Sequence, residues 1–483
     1  MSLCTVDFDT LSIIVAFLSP DDARSLSRTT RALHAIAQQR ALSALTIRKP
    51  QVLTQAHKYL LDDIPARAHC LRELTVSFGA HNTTLEQVSP LVADLLENTP
   101  LLKHVSIDCA EDLILIEPRL WNALTALKFV TNVELIGAGP EVLRQLGELQ
   151  GPLRRLAFRG QIEERLPPNQ MPTIRLPFVD FVKAWHSYPH LKSVVLCDIG
   201  SLDDHPKEHR YAPCPNVTNL EVLRSYLAPS DMNAMFPNLR TLSFCHTGRP
   251  RADSTARSPE KCWTRLDSIR FRTVYAPKVH PWPLTSRVRR LDLVNVIETD
   301  TETYWSFPDI YLGVVERTQP IVLRLSTCPS IGENFWKRVL MAQRNVRCLD
   351  IRVRTNWRCH KDLGGWLDKV PTFWAESSLV YVRFSVHEPD FLSEMRVPEA
   401  LQYDSDRAMT YARETISARL FAGVPSLRML AVKLPDNISW WRIQHAEDNG
   451  ERNLLPISRD VGRRVEAYLY SEEYERKLTF DGE

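Results

Sequence analysis

The sequence lacks any long block of one charge. Its 60 Lys and Arg residues nearly balance its 58 Asp and Glu residues, so the formal net charge is +2 at pH 7. No run of basic residues extends beyond a few positions, so the electrostatic footprint that attracts nucleic acid is missing. We therefore expect no nucleic acid partner.

Long apolar segments are also absent. No apolar run approaches the ~20 residues that a membrane-spanning helix needs. The short apolar stretch from Leu11 to Leu18 follows Asp7 and Asp9 instead of a basic region, and Pro20 stands where a signal peptide has small residues. The sequence therefore predicts a soluble protein that is not secreted and has no membrane partner.

Paired cysteines are missing as well. The 10 cysteines are scattered singly and form no CxxC pair. Cys197, Cys245 and Cys348 lie inside apolar runs, where a reduced thiol packs as a small hydrophobic group. This usage predicts a reducing compartment, either the cytoplasm or the nucleus.

Common catalytic signatures are absent too. The sequence contains no GxSxG, HExxH or GxxxxGK[ST] motif, and its 16 glycines form no phosphate-binding loop. Cys348 and the Cys359-His360 pair lack the further ligands that a metal site needs. We therefore predict a protein that is not an enzyme and that uses no cofactor or metal.

What the sequence does contain is a recurring hexad, apolar-x-x-apolar-x-apolar. Roughly fourteen copies occur, and the first and last are thirteen repeats apart, which gives a period of about 30 residues. The copies begin at Leu42, Leu71, Leu102, Val130, Leu153, Leu191, Val217, Leu239, Leu266, Val288, Val346, Leu379 and Leu427, and a shorter copy comprises Leu323 and Leu325.

The segments around the hexads predict the local structure. A proline precedes several copies, as at Pro100, Pro189 and Pro237, and proline fits the position before a strand. Stretches between copies, such as Leu85 to Leu96, have the apolar spacing of a helix. Each repeat thus predicts one strand and one helix, and stacked repeats share a core beside a parallel sheet.

This pattern resembles the leucine-rich repeat family over residues 42–435. The resemblance implies an α/β solenoid of roughly 14 irregular units with a parallel concave sheet. A plain α/β fold remains the alternative, although the glycine-rich phosphate loop of doubly wound sheets is missing. Residues 436–483, with a helical pattern from Asp460 to Leu478, predict a C-terminal cap.

Residues 1–41 predict a separate module of short helices. One apolar helix face is formed by Phe8, Leu11, Ile14, Val15 and Leu18. A second helix is predicted to begin at Ser19, a capping residue followed by Pro20 and two acidic residues. A further apolar face, divided over two short helices, is supplied by Ala23, Leu26, Leu33, Ile36 and Ala37.

This module resembles the F-box, on its FLSPDD turn and the following RALHAIA segment, in the style common in mushroom-forming fungi. The resemblance implies that the chain docks on the Skp adaptor of a cullin-RING ubiquitin ligase, while the repeats bind a client protein. The implied docking residues are Phe8, Leu11, Ile14, Val15, Leu18, Leu26 and Leu33. Two alternatives remain: Phe8, Leu11, Ile14 and Leu18 only cap the first repeat, or the chain is a protein-interaction scaffold without a ligase role.

Arginines recur where the later strands would face the concave side. They are Arg270, Arg272, Arg290, Arg324, Arg352 and Arg383. Arginine binds carboxylates and phosphates through paired hydrogen bonds, so these residues are predicted to contact an acidic or phosphorylated client. The alternative is that they pair within the sheet, with neighbours such as Asp292 and Asp350.

Overall fold

The computed structural model describes residues 7–78, 85–160, 184–197, 213–223, 225, 229–246, 263–273, 286–297, 308–328, 331, 333–341, 345–354, 363–387, 416–434, 438–445 and 452–477. The chain forms two compact units, Met1–Asn238 and Leu239–Glu483. Within the described residues, no helix is both long enough and apolar enough to cross a membrane.

The chain begins with the three predicted helices, α1 (Phe8–Ala16), α2 (Pro20–Ser27) and α3 (Arg31–Ala41). Ser19 caps α2, because its hydroxyl oxygen accepts a hydrogen bond from the Asp22 amide at 3.1 Å. Asp7 and Thr30 cap α1 and α3 in the same way. Local capping chemistry therefore sets where all three helices begin.

Among the described residues of the first unit, seven parallel strands then form a sheet. They are β1 (Ala44–Ile47), β2 (Glu73–Val76), β3 (His104–Ile107), β4 (Asn132–Ala138), β5 (Arg155–Gly160), β6 (Ser193–Cys197) and β7 (Asn219–Leu223). Each strand pairs with the next strand along the chain. Helices whose bounds are described in this part are α4 (Pro50–Leu61), α5 (Leu85–Glu97), α6 (Ala110–Ile116), α7 (Arg119–Thr125), α8 (Pro140–Gln145) and α9 (Pro229–Met235).

The second unit continues the same pattern. Its parallel strands are β8 (Thr241–His246), β9 (Arg265–Thr273), β10 (Arg287–Ile297), β11 (Val322–Thr327), β12 (Cys348–Arg354), β13 (Tyr381–His387) and β14 (Met429–Lys433). Helices whose bounds are described before its last strands are α10 (Pro308–Thr318), α11 (Glu333–Met341) and α12 (Leu363–Trp374).

The end of the second unit departs from the repeat. Two antiparallel strands, β15 (Ile438–His445) and β16 (Arg452–Ile457), extend the sheet beyond β14. Two helices follow, α13 (Arg459–Leu469) and α14 (Glu472–Lys477). The sequence predicted the helical segment but not the two strands, which carry no hexad.

The register of the strands explains the hexads. Leu74 pairs with Val105, and Val105 pairs with Val133, so apolar residues of successive hexads lie side by side and are buried. Because side chains alternate along a strand, the residues between them lie on the other side of the sheet. We call these two sides the hexad face and the reverse face.

Each predicted hexad therefore forms one strand, and the strand order follows the chain order within each unit. A doubly wound fold requires a reversal of the strand order, and neither unit shows one among its described strands. Each unit has the α/β arrangement of a solenoid, with one strand added to the sheet by each repeat.

Candidate functional site

The N-terminal helices have their own small core. Leu11, Val15 and Leu33 are buried in it together with Ile36 and Ala37. Leu18 and Leu26 are partly buried against the same cluster. Five of the seven predicted docking residues therefore stabilise the module itself, and docking through any of the seven stays a prediction.

The opposite side of α1 is exposed and apolar. Ile13 is 61% exposed, Ile14 is 42% exposed and Phe17, at the C-terminal end of the helix, is 87% exposed. We call these three residues the α1 patch. Phe8, at the start of the helix, is 66% exposed. Ile14 and Phe8 were predicted docking residues, whereas Ile13 and Phe17 were missed because the predicted face followed the other side of the helix.

The α1 patch is unusual because the helix is apolar on both sides. A helix on the surface of a globular protein keeps polar residues on its exposed side, whereas a helix that is apolar all round is normally buried. Asp9 is the only charged residue of α1. Within the described residues, the side of α1 that carries Phe17 is therefore apolar and uncovered.

Helix α3 holds α1 in place beside the first repeat. Arg40 donates a hydrogen bond from Nε to the carbonyl oxygen of Leu18 at 2.8 Å, and its Nη1 donates to Ser43 Oγ at 3.3 Å. Gln38 donates to the hydroxyl of Tyr59 in α4 at 3.4 Å. These contacts fix the three helices relative to the first strand, so the α1 patch has a defined position.

The predicted client-binding arginines belong to a different arrangement, a row of alternating charge across the reverse face of the second unit. The row comprises Arg270, Asp292, Arg324, Asp350 and Arg383, which are consecutive register partners on β9 to β13. The Nε of Arg324 donates to Asp350 at 2.6 Å, and its Nη1 lies 3.6 Å from Asp292.

Burial and charge act in opposite directions on these arginines. Burial alone would lower the pKa of Arg324, but the adjacent carboxylates of Asp350 and Asp292 outweigh it and raise this pKa. Burial, together with the positive charge of Arg324, lowers the pKa of Arg290. The guanidinium of Arg290 lies over the ring of Tyr470, 5.5 Å from its centre. The positive charge of Arg324 is therefore balanced within the sheet by Asp350 and Asp292.

The C-terminal helices cover part of the same face. The first reverse-face positions of β11 to β14 are Val322, Cys348, Tyr381 and Met429, and they are buried with Leu469 and Tyr474 of the helices in one apolar cluster. The partly buried side chains of Val465, Tyr468 and Tyr470 pack against it. Helices α13 and α14 thus lie on the reverse face, where sequence analysis had predicted a concave surface open to a client.

Glutamates of these helices meet arginines of the strands. Glu466 accepts hydrogen bonds from Arg383 and from the hydroxyl of Tyr381, the latter at 3.1 Å. Glu475 pairs with Arg265 at 2.6 Å. The helices therefore present carboxylates to the sheet at positions where the sheet has guanidinium groups.

The six predicted arginines consequently have different environments. Arg324 and Arg383 are engaged by carboxylates of the chain itself, and Arg290 stacks on Tyr470. Client contact by these three would compete with their partners within the chain and stays a prediction. Arg270 and Arg272 are exposed and Arg352 is half-buried, so for them client contact stays a prediction.

Gly462 permits the close approach of α13 to the sheet. A Cβ atom at this position would lie 2.4 Å from Cγ of Trp440 in β15, a separation that requires the helix or the indole to move. Gly462→Ala is therefore expected to lower the free energy of unfolding by roughly 1–3 kcal/mol through overpacking.

The control is Gly313→Ala in α10, where no atom lies within 4 Å of the added methyl group. This change is expected to stabilise the protein by up to about 1 kcal/mol, because alanine is the better helix former. Urea unfolding monitored by tryptophan fluorescence measures both variants. Equal stability of the two would contradict the packing of Gly462 on Trp440.

No family model matches this sequence, and a search of curated proteins finds no relative. Within the described part of the chain, no group of three or more metal-ligating side chains occurs.

Proposed function

We propose that this chain is a substrate-recruiting adaptor of a Skp-cullin-F-box ubiquitin ligase. In this proposal the N-terminal helices dock on the Skp adaptor and the leucine-rich repeats bind a client protein, in the cytoplasm or the nucleus. The observation that supports it best is the α1 patch, which leaves Ile13, Ile14 and Phe17 uncovered on a helix that has apolar residues on both sides.

The energetics of the patch fit docking on a partner. Each large apolar side chain that is transferred from water into an interface contributes roughly 1.5–3 kcal/mol, and three of them offset a substantial part of the cost of association. The three short helices bury few side chains of their own, so a partner that covers α1 also stabilises the module. Both effects favour a complex over the isolated module.

The test is co-purification with the Skp adaptor. Phe17→Asp is expected to weaken binding by roughly 10-fold to 100-fold, because it removes a large apolar contact and introduces a charge that the interface would have to desolvate. Leu115→Asp is the matched control, since Leu115 on α6 is also exposed, at 60%, but lies outside the N-terminal helices. It should leave binding unchanged.

Leu11→Asp is unsuitable for this test because Leu11 is buried in the core of the three helices and its replacement would disrupt them. Full binding by both Phe17→Asp and Ile13→Asp would contradict the proposal. Titration calorimetry with purified Skp adaptor gives the affinities, and circular dichroism shows whether each variant keeps its helices.

The alternative is a protein-interaction scaffold without a ligase role, in which the three helices only cover the end of the sheet. The contacts of Arg40 with Leu18 and of Gln38 with Tyr59 favour this function, because they fasten the helices beside the first repeat. Under this alternative the Skp adaptor does not bind the wild-type chain, which distinguishes the two functions directly.

A further inference from the structure

We propose that the reverse face of the second unit is a receptor for an acidic amphipathic helix, and that α13 and α14 occupy it until a client helix of the same chemistry displaces them. The identification of that helix as part of a client rests on the proposed adaptor function. The existence of the receptor surface does not, because it follows from contacts within the second unit.

The C-terminal helices and the sheet carry complementary charges where they meet. Glu466 binds Arg383, Glu475 binds Arg265 at 2.6 Å, and Glu472 lies 3.7 Å from Arg289. The exposed basic residues of α13, in contrast, are Arg459, Arg463 and Arg464. Three glutamates of the C-terminal helices thus meet arginines of the sheet, whereas all the arginines of α13 are exposed.

The apolar contacts define the spacing that a competing helix needs. Val465 and Leu469 are four residues apart on α13, and both pack against the apolar cluster on the sheet, as do Tyr470, just after α13, and Tyr474 of α14. Residues four apart lie on one side of a helix. A matching client helix therefore carries apolar residues at i and i+4, with a glutamate directly after the first, as Glu466 follows Val465.

The contact of α13 and α14 with the sheet leaves buried polar atoms without hydrogen-bond partners. Within the described residues, Asp350 Oδ1 and the hydroxyl groups of Tyr470 and Tyr474 are buried without a hydrogen-bond partner. A buried polar group that lacks a partner destabilises the folded state. A client helix that donated a hydrogen bond to Asp350 on the sheet would gain an advantage over α13 and α14, because the hydroxyl groups of Tyr470 and Tyr474 would leave the buried site with the displaced helices.

The architecture also allows the helices to leave without loss of the sheet. Helix α13 has 11 residues and α14 has 6, and helices this short are marginal unless they are docked. They are joined to β16, the last strand, whereas β12 and β13 are paired on both sides. Local opening of the C-terminal helices is therefore easier than opening of the strands beneath them.

Hydrogen exchange on the full wild-type chain tests this opening directly. Backbone amides of α13 and α14 are expected to exchange roughly 10-fold or more faster than those of β12 and β13, because the helices open without global unfolding. Equal protection of helices and strands would overturn the proposal, since the cover would then be an inseparable part of the sheet.

A second experiment tests the surface itself with a fluorescent peptide of residues 458–477. The peptide is expected to bind the full-length Gly462→Val variant at least about 10-fold more tightly than wild type, because valine pushes α13 off Trp440 and frees the face. A control peptide with Glu466→Lys, Glu472→Lys and Glu475→Lys should lose this binding.

Equal binding of the two peptides would refute recognition of an acidic helix. The same titration with Phe17→Asp added to Gly462→Val separates this proposal from the adaptor function. Peptide binding should persist in that double variant, whatever happens to binding of the Skp adaptor. If Gly462→Val does not fold, the hydrogen exchange of the wild-type chain decides alone.

Discussion

Glu111→Ala is expected to destabilise the first unit by roughly 3 kcal/mol or more, one of the largest effects of any single substitution in that unit. The Glu111 side chain is only 6% exposed. Its carboxylate accepts hydrogen bonds from the backbone amides of Gly139, Glu141 and Val142 at 2.9, 2.9 and 3.0 Å. These amides belong to the first turn of α8, whose own carbonyl groups cannot reach them.

The Glu111→Ala substitution would leave all three backbone amides without a hydrogen-bond acceptor at a site that is largely buried. Glu111→Gln is expected to be nearly as harmful, because its amide nitrogen would face a backbone donor and its side chain lacks the negative charge that the helix N-terminus favours. The matched control is Glu73→Gln on β2, where the side chain is exposed. It should change the free energy of unfolding by no more than about 0.5 kcal/mol.

Gly139→Ala provides an independent check of the same site. Its Cβ would lie 2.6 Å from Cδ of Glu111, so the carboxylate would be pushed away from the α8 amides. Chemical denaturation followed by circular dichroism measures the four variants. If Glu111→Ala unfolded at the same urea concentration as Glu73→Gln, the buried carboxylate would not be a cap of α8.

The strands were predictable because their signal is local. A hexad places two apolar residues two positions apart, which is the period of a strand with one buried face. Leu74, Val105 and Val133 therefore identified neighbouring strands without any knowledge of the register. The first residues of α2, Ser19 and Pro20, were predictable for the same reason, because a helix cap involves residues only three positions apart.

The side of α1 that is covered could not be predicted from its own residues. Apolar side chains occur on both sides of the helix, so the periodic pattern fits either orientation. The choice depends on α3, whose Leu33 and Ile36 bury Leu11 and Val15. The packing of α3 on α1 is a tertiary contact, so the exposure of Phe17 could not be predicted from the residues of α1 alone.

The position of the C-terminal helices on the sheet could not be predicted from the sequence, because it depends on contacts between residues far apart in the chain. Arg383 and Glu466 are 83 residues apart, and Arg265 and Glu475 are 210 residues apart. No periodic pattern links residues at such distances. The arginines were correctly identified as groups that bind carboxylates, but the carboxylates belong to the chain itself.

The second large effect is expected at Asp350, the most buried member of the charged row. Its side chain is 2% exposed, against 16% for Arg324, to which it is bound at 2.6 Å. Asp350→Ala is expected to destabilise the second unit by roughly 3–5 kcal/mol, because it leaves the guanidinium of Arg324 largely buried with only the weaker contact to Asp292. The exposed pair of Lys337 and Glu333 is the control.

Glu333→Ala should have an effect below about 0.5 kcal/mol, since both partners of its pair are half exposed and the solvent screens them. The double variant Arg324→Met with Asp350→Leu is expected to recover most of the stability lost in Asp350→Ala. It removes both charges together and also relieves the repulsion that Arg324 exerts on Arg290.

The double variant therefore separates two roles of the charged row. If the row contributes net stability, the double variant should be as unstable as Asp350→Ala, and this outcome would contradict the expectation from the desolvation of buried ion pairs. If the double variant recovers stability, the row chiefly fixes the register of β10 to β13 and positions Arg383 for its hydrogen bond to Glu466. Urea unfolding measures whether the row contributes net stability. Hydrogen exchange of α13 in the double variant shows whether Glu466 remains bound to Arg383.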